Sequence, residues 1–194
     1  MNPTSKIGQA EKSLTEDNNG KTYSFDVCGT CKFICCQDAK PPLSENRKKI
    51  LKEYIEKEKI SVEEPFMCEA YSYPAVDENM LCKFFNKQTR RCSVHPVKPE
   101  TCRAGPVTWD INFNTKKLEY YLKLEKICPL AGVLYKNPAM LAEHLDPAKI
   151  EIRRLVEDLS AEELRVIVKI AEPDTFKICE EDLSASVIKK LGLN

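Results

Sequence analysis

Four cysteines stand within nine residues, Cys28-Gly29-Thr30-Cys31-Lys32-Phe33-Ile34-Cys35-Cys36, and this crowding constrains the chain more than any other feature. A two-residue gap lets the backbone curl so that two sulfurs point inward together, and Gly29 supplies the freedom such a curl needs. Cys35 and Cys36 are immediate neighbours whose side chains diverge, so they reach different atoms, or one of them stays uncommitted. Six more cysteines follow, Cys68, Cys82, Cys92, Cys102, Cys128 and Cys179. The start of the chain has no apolar run of export-signal length, so a reducing, cytoplasmic setting is expected. In that setting clustered thiols mean metal binding or redox chemistry.

Size does not force the use of such crosslinks. The 194 residues are 42% hydrophobic, enough for a real core. Lys and Arg number 30 against 30 Asp and Glu, so no global field draws the chain to nucleic acid or to an acidic lipid surface. No stretch of eighteen apolar residues occurs, and neither nucleic acid nor membrane is expected as a partner.

The expected fold class is α+β: a small, irregular, cysteine-rich, metal-centred domain with short strands, then a helical C-terminal region. Residues 1–21 are polar and read as a disordered arm. Residues 22–130 form the cysteine domain, and 131–194 a helical extension packing on it. Residues 23–27 alternate and suit a short strand leading to Cys28. Ser44 can cap a helix running to about Ile60, with Ile50, Leu51, Tyr54 and Ile55 as its apolar stripe. Between 61 and 106 the prolines are too dense for a continuous helix or a central strand, so metal crosslinks would supply the order. Residues 107–113 and 118–124 alternate around a turn and suggest a hairpin. Asn137-Pro138, Asp146-Pro147 and the Ser160/Glu163 capping box predict helices near 138–145, 147–158 and 161–170. A last helix ends at Gly192, and Cys179 falls in this helical tail.

Cys82, Cys92, Cys102 and Cys128 are too widely spaced to define a site locally; only the fold can gather them. They nevertheless lie in or beside the segment with the least other reason to be ordered. Cys128-Pro129 matches the habit of ferredoxin-type ligands of preceding proline. Lys32, Lys83, Arg91 and Arg103 each directly adjoin a cysteine and could offset the charge of a thiolate-ligated centre, as cofactor-binding residues. His95 lies among the cysteines as a further candidate ligand. A structural Cys₄ zinc site usually has two short-gap knuckles, and this chain has one, which favours iron–sulfur over zinc. No phosphate loop, zincin motif or nucleophile elbow is present. A redox dithiol at Cys28 and Cys31 is a further alternative.

At these residues the chain resembles the YkgJ-like zinc- or iron-chelating cysteine cluster family of CxxCxxCC type, which is related to the cysteine-rich domain of flagellin lysine N-methylases. The matches are Cys28, Cys31, Cys35 and Cys36; Cys82-Lys83-Phe84-Phe85; Cys92-Ser93-Val94; Cys102-Arg103-Ala104-Gly105-Pro106; and Cys128-Pro129. The chain departs from the pattern in two places. Three residues, not two, separate Cys31 from Cys35, and Lys98-Pro99 stands where arginine–proline is usual. The resemblance implies metal chelation by the shared cysteines.

The expected function is therefore a metal-binding protein holding one or two iron–sulfur clusters of the 4Fe-4S type, in a structural or electron-transfer role. The metal ligands would be Cys28, Cys31, Cys35, Cys36, Cys82, Cys92, Cys102 and Cys128. The alternatives are a zinc-stabilised interaction module and an enzyme, or component of one, related to methyl transfer. A protein partner is expected at the C-terminal helices.

Overall fold

The structure, a computed structural model, describes residues 15, 16, 22, 23, 35–172 and 174–193. The expected strand at 23–27, the arm at 1–21 and the first half of the cysteine cluster fall largely outside that range. What is described of them is one short antiparallel pair, β1 (Thr15–Glu16) with β2 (Thr22–Tyr23).

Helix α1 (Glu45–Lys57) begins where its sequence says it should. Ser44 is extended, and its hydroxyl accepts the Arg47 amide at 3.0 Å, closing one of the free donors of the first turn. Leu51 is fully buried, with Tyr54 and Ile55 packed beside it against Leu43, Phe84 and Val94. This small apolar cluster orders the proline-rich region. Around it the chain makes only short pieces: β3 (Phe66–Cys68) with β4 (Ser72–Pro74), β5 (Phe85–Asn86) with β6 (Arg91–Cys92), a 3₁₀ turn at His95–Val97, and helix α2 (Glu100–Ala104).

The second half is more regular. Strands β7 (Val107–Asn112) and β8 (Lys117–Lys123) form the expected hairpin, and β7 buries Val107, Trp109 and Ile111 at every second position. Helices α3 (Pro129–Lys136), α4 (Pro138–Asp158), α5 (Ala161–Ile167) and α6 (Ala185–Leu191) follow, with β9 (Thr175–Asp182) between the last two. The Ser160/Glu163 capping box is formed, and Gly192 ends α6 at a φ of 68° that suits glycine. The fold is α+β, with short strands first and helices concentrated in the C-terminal part.

Two elements differ from expectation. Helices at 138–145 and 147–158 are one helix, α4, running through Pro147. Proline removes one backbone donor there, yet Ala148, Ile152, Leu155 and Val156 carry the buried face onward, and that packing outweighs the local break. Cys179 lies in strand β9, opposite Tyr120 of β8, and not in a helical tail. β9 is an edge strand rich in Lys, Glu and Asp, so its alternation is weak in sequence.

One large core holds this half together. Trp109, Tyr120 and Leu122 of the sheet meet Ile152, Leu155, Leu164, Val187 and Leu191 of the helices, so the packing runs continuously across residue 130. No helix among the described residues is long and apolar enough to cross a membrane.

Candidate functional site: a group of thiols beside a buried ion network

Cys36 and Cys82 face one another because of a short stretch of antiparallel pairing. Gln37 pairs with Leu81, the Asp38 amide donates to the Met80 carbonyl at 2.9 Å, and the Cys82 amide donates to the Cys36 carbonyl at 3.0 Å. In that register residue 36 is opposite residue 82 as a hydrogen-bonded pair, a class whose Cα atoms usually stand about 5.5 Å apart. Cys82 is fixed from its other side by its bridge to Val76. Cys92 ends β6 opposite Phe85, and Cys102 sits in the middle of α2.

These thiols feel one another. Cys35 perturbs Cys82, Cys92 and Cys102, and Cys82 and Cys102 perturb Cys36. A hydrogen bond from the Cys36 side chain holds the Cys35 thiol down at about 6, helped by the charges of Lys98 and Lys123 and opposed by burial. The same bond pushes Cys36 far up. The two titrate as a pair, one thiolate early and one thiol late. Burial lifts Cys82 to about 11 and raises Cys92 and Cys102. Cys102 nevertheless has surface in contact with water.

Other expected site residues have structural partners or lie apart. Lys83 Nζ donates to the Glu63 carbonyl at 3.0 Å, and Arg91 is exposed on β6. Arg103 reaches the Pro96 carbonyl at 2.8 Å and the Glu151 carboxylate at 2.9 Å. Cys128 packs against the large core and is the N-cap residue of α3, so Cys128-Pro129 marks a helix start with proline at its first position. His95 is depressed to about 4, mainly by burial and then by Lys98, Arg103 and Arg91. Cys28, Cys31 and Lys32 lie outside the described residues.

Two features went unread in the sequence. Lys98 is the cation that Cys35, Cys92 and Cys102 all feel, and its place before Pro99 was the only available signal. The second is a buried ion network. Glu151 of α4 takes Arg47 Nη2 at 2.5 Å on one oxygen and Arg103 Nε at 2.9 Å on the other. Arg47 Nε also stands 3.5 Å from Glu100, which accepts the Ser44 hydroxyl at 2.7 Å. No local spacing could reveal contacts between residues 47, 100 and 151.

The expected metal centre is corrected. Among the described residues no group of three or more His, Cys, Asp or Glu side chains stands so as to hold a metal ion. The iron–sulfur cluster, whether one or two 4Fe-4S centres, and the zinc alternative with its zinc-stabilised module, are not supported by these positions. The physical reason lies in how the backbone holds each thiol. Cys128 packs against the large core, Cys68 and Cys179 belong to separate strands, and of the thiols that perturb one another Cys36 and Cys82 are set by one bridge, Cys92 by β6 and Cys102 by α2. The methyl-transfer alternative finds no supporting feature among the described residues either.

No curated protein and no solved structure matches the chain. Residues 27–129 match the CxxCxxCC family, whose description is "Putative zinc- or iron-chelating domain". The described cysteines do not by themselves make the chelating set that this description names, and Cys28 and Cys31 of its opening motif lie outside them. The match spans more than half of the 194 residues and includes every cysteine from Cys28 to Cys128, so the chain belongs to the CxxCxxCC family.

Proposed function

We propose that the chain is a thiol-redox protein, in which Cys35 is the first residue oxidised and Cys36 with Cys82 forms the disulfide that stores the change. The observation that carries this reading is the placement of Cys36 opposite Cys82, tied by the 3.0 Å amide–carbonyl bond. The spacing usual for hydrogen-bonded partners in an antiparallel pair, about 5.5 Å between Cα atoms, falls inside the window that a disulfide requires. The low Cys35 thiol supports the order of events, because the thiolate is the nucleophile.

The reaction needs an oxidant of the peroxide class. The Cys35 thiolate attacks one peroxide oxygen, the O–O bond breaks, and a sulfenic acid forms with release of an alcohol or water. A neighbouring thiol, Cys82, displaces the sulfenic oxygen as water and forms a disulfide. Cys36 then exchanges onto Cys82 and returns Cys35 as a thiol. Two thiols lose two electrons in total, and the peroxide gains them.

The reading takes 22–130 as the thiol domain, with 131–194 as its support, and of the expected cysteine set assigns the reacting roles to Cys35, Cys36 and Cys82. Its setting is a reducing cytoplasm, where the thiols start reduced. The exposed Val133, Tyr135 and Met140 of α3 and α4 are the proposed surface for a protein partner that reads the redox state, and nucleic acid has no part in it. Kinship with the cysteine-rich domain of flagellin lysine N-methylases rests on the resemblance alone.

The test is peroxide treatment of the reduced protein, followed by digestion and mass spectrometry. Fragmentation of the crosslinked peptide distinguishes Cys36 from the adjacent Cys35, and in Cys35→Ser, which lacks the residue oxidised first, the crosslink should form far more slowly. A reductant-reversible Cys36–Cys82 crosslink, absent in Cys82→Ser, is expected. Failure of that crosslink to form in the wild-type protein overturns the proposal, as does finding stoichiometric metal on these cysteines in protein purified without oxygen.

A further inference from the structure

Two arginines of the family-matched region, the buried Arg47 and the half-buried Arg103, share a carboxylate that lies outside it. Arg47 is 8% exposed and Glu151 6% exposed, and the family match ends at residue 129. Glu151 belongs to α4 and holds Arg47 on Oε2 and Arg103 on Oε1, with Arg154 of its own helix at 3.6 Å. We propose that Glu151 is a positioning residue that completes the cysteine domain from outside, clamping α2 with its Cys102 onto α1 and so onto the thiol group.

The geometry is that of a bolt through three helices. Arg47 stands on α1, three residues inside the Ser44 cap. Arg103 follows Cys102 directly on α2, a helix of five residues that cannot hold itself in water. Its backbone is tied by few bonds, among them the Arg103 amide to the Pro99 carbonyl and the Gly105 amide to the Thr101 carbonyl, both at 2.9 Å. His144, also on α4, adds a contact of 3.1 Å between its Nε2 and the Ala104 carbonyl at the end of α2. The segment that most needs an external partner thus receives two from α4. Both arginine side chains are largely withdrawn from water, so removing the Glu151 charge takes away the carboxylate they share and leaves Arg47 with only its longer, 3.5 Å contact to Glu100.

This clamp does the task that the sequence assigned to metal, which is to order a proline-rich stretch lacking long ladders. It also makes residues 138–158 an obligatory part of the cysteine domain. The claim goes beyond the thiol-redox reading and does not need it, because it can be tested on fully reduced protein with no oxidant.

Amide hydrogen exchange on the full chain compares wild type with Glu151→Gln, an isosteric change. In the variant, amides of residues 101–105 should exchange about tenfold faster or more, while those of β7 and β8 keep their rates. Glu151→Asp, which keeps the charge on a shorter arm, should lie between the two, and it serves as the comparison if the Gln variant does not fold. A uniform acceleration at every amide would show a stability role alone and overturn the proposal. Unchanged exchange at residues 101–105 in both variants would overturn it as well.

Discussion

The Ser44 hydroxyl stands 2.7 Å from Glu100 Oε1 and donates to it, while accepting the Arg47 amide at 3.0 Å. One oxygen thus closes the N-terminus of α1 and gives a carboxylate in α2 one of its few donors. Glu100 is 2% exposed, and its other oxygen meets no donor among the described residues.

Ser44→Ala should therefore cost more than an ordinary cap. Losing the cap costs about 1 kcal/mol, and stripping a donor from a buried carboxylate adds about 1–2 kcal/mol. A loss of roughly 2–3 kcal/mol in denaturant unfolding is expected. A loss within the range of a surface cap would mean that Glu100 is solvated by another route.

Glu100 also makes a pH signature. Burial, ahead of the opposing Ser44 bond and Arg47 charge, raises its carboxyl above the ordinary 4.5. A raised carboxyl holds its proton more tightly folded than unfolded. Its stabilising contribution is complete below 4.5 and disappears as pH rises through the folded value. The melting temperature of wild type minus that of Glu100→Gln should accordingly fall as pH is raised from the acid side of that window toward neutrality. A difference that stays constant with pH would contradict the raised value.

What was legible in the sequence was what is decided within a few residues. The Ser44 cap and the Ser160 capping box follow from side chains that satisfy backbone groups three positions away, and the β7–β8 hairpin from alternating apolar residues on either side of a turn. What was not legible depends on distant parts of the chain. Pro147 looked like a helix boundary until the buried face beyond it was seen to continue into the common core. Cys128-Pro129 has two chemical readings, cluster ligand or helix start, and only the helix that follows decides for the second. The order of the proline-rich stretch was assigned to metal because Leu51, Phe84 and Val94 are too far apart in sequence to announce a shared cluster, and Glu151 too far to announce a clamp.

The two histidines offer a direct reading of the electrostatics. His95 is depressed to about 4 by burial and by Lys98, Arg103 and Arg91, and His144 is lowered mainly by burial. Both imidazoles are then neutral in the folded protein at mildly acidic pH, where the unfolded chain would bind protons. The stability they contribute is present above 6.5 and is lost progressively as pH falls toward the folded values. In an NMR titration the His95 ring resonances should move with a midpoint near 4, well below those of a free imidazole. A midpoint at the ordinary value would mean that neither the burial of the ring nor the charges of Lys98, Arg103 and Arg91 act on it as described.

Cys35 provides the sharpest separation among the thiols. The largest cause of its low value, about 6, is the hydrogen bond from the Cys36 side chain, and the second is an opposing desolvation. In Cys36→Ala the stabilising donor is gone and the burial remains, so the Cys35 thiol should rise toward or past the ordinary thiol value. Alkylation of the reduced protein with iodoacetamide, followed residue by residue by mass spectrometry, measures this. In wild type the Cys35 rate should reach half its plateau near pH 6, whereas Cys82, lifted by burial, should still be climbing near pH 11. The Cys36→Ala profile should move to higher pH by at least a unit. If instead Cys35 keeps its early titration without Cys36, the lowering comes from Lys98 and Lys123, and substituting those lysines should then move the profile where the loss of Cys36 did not.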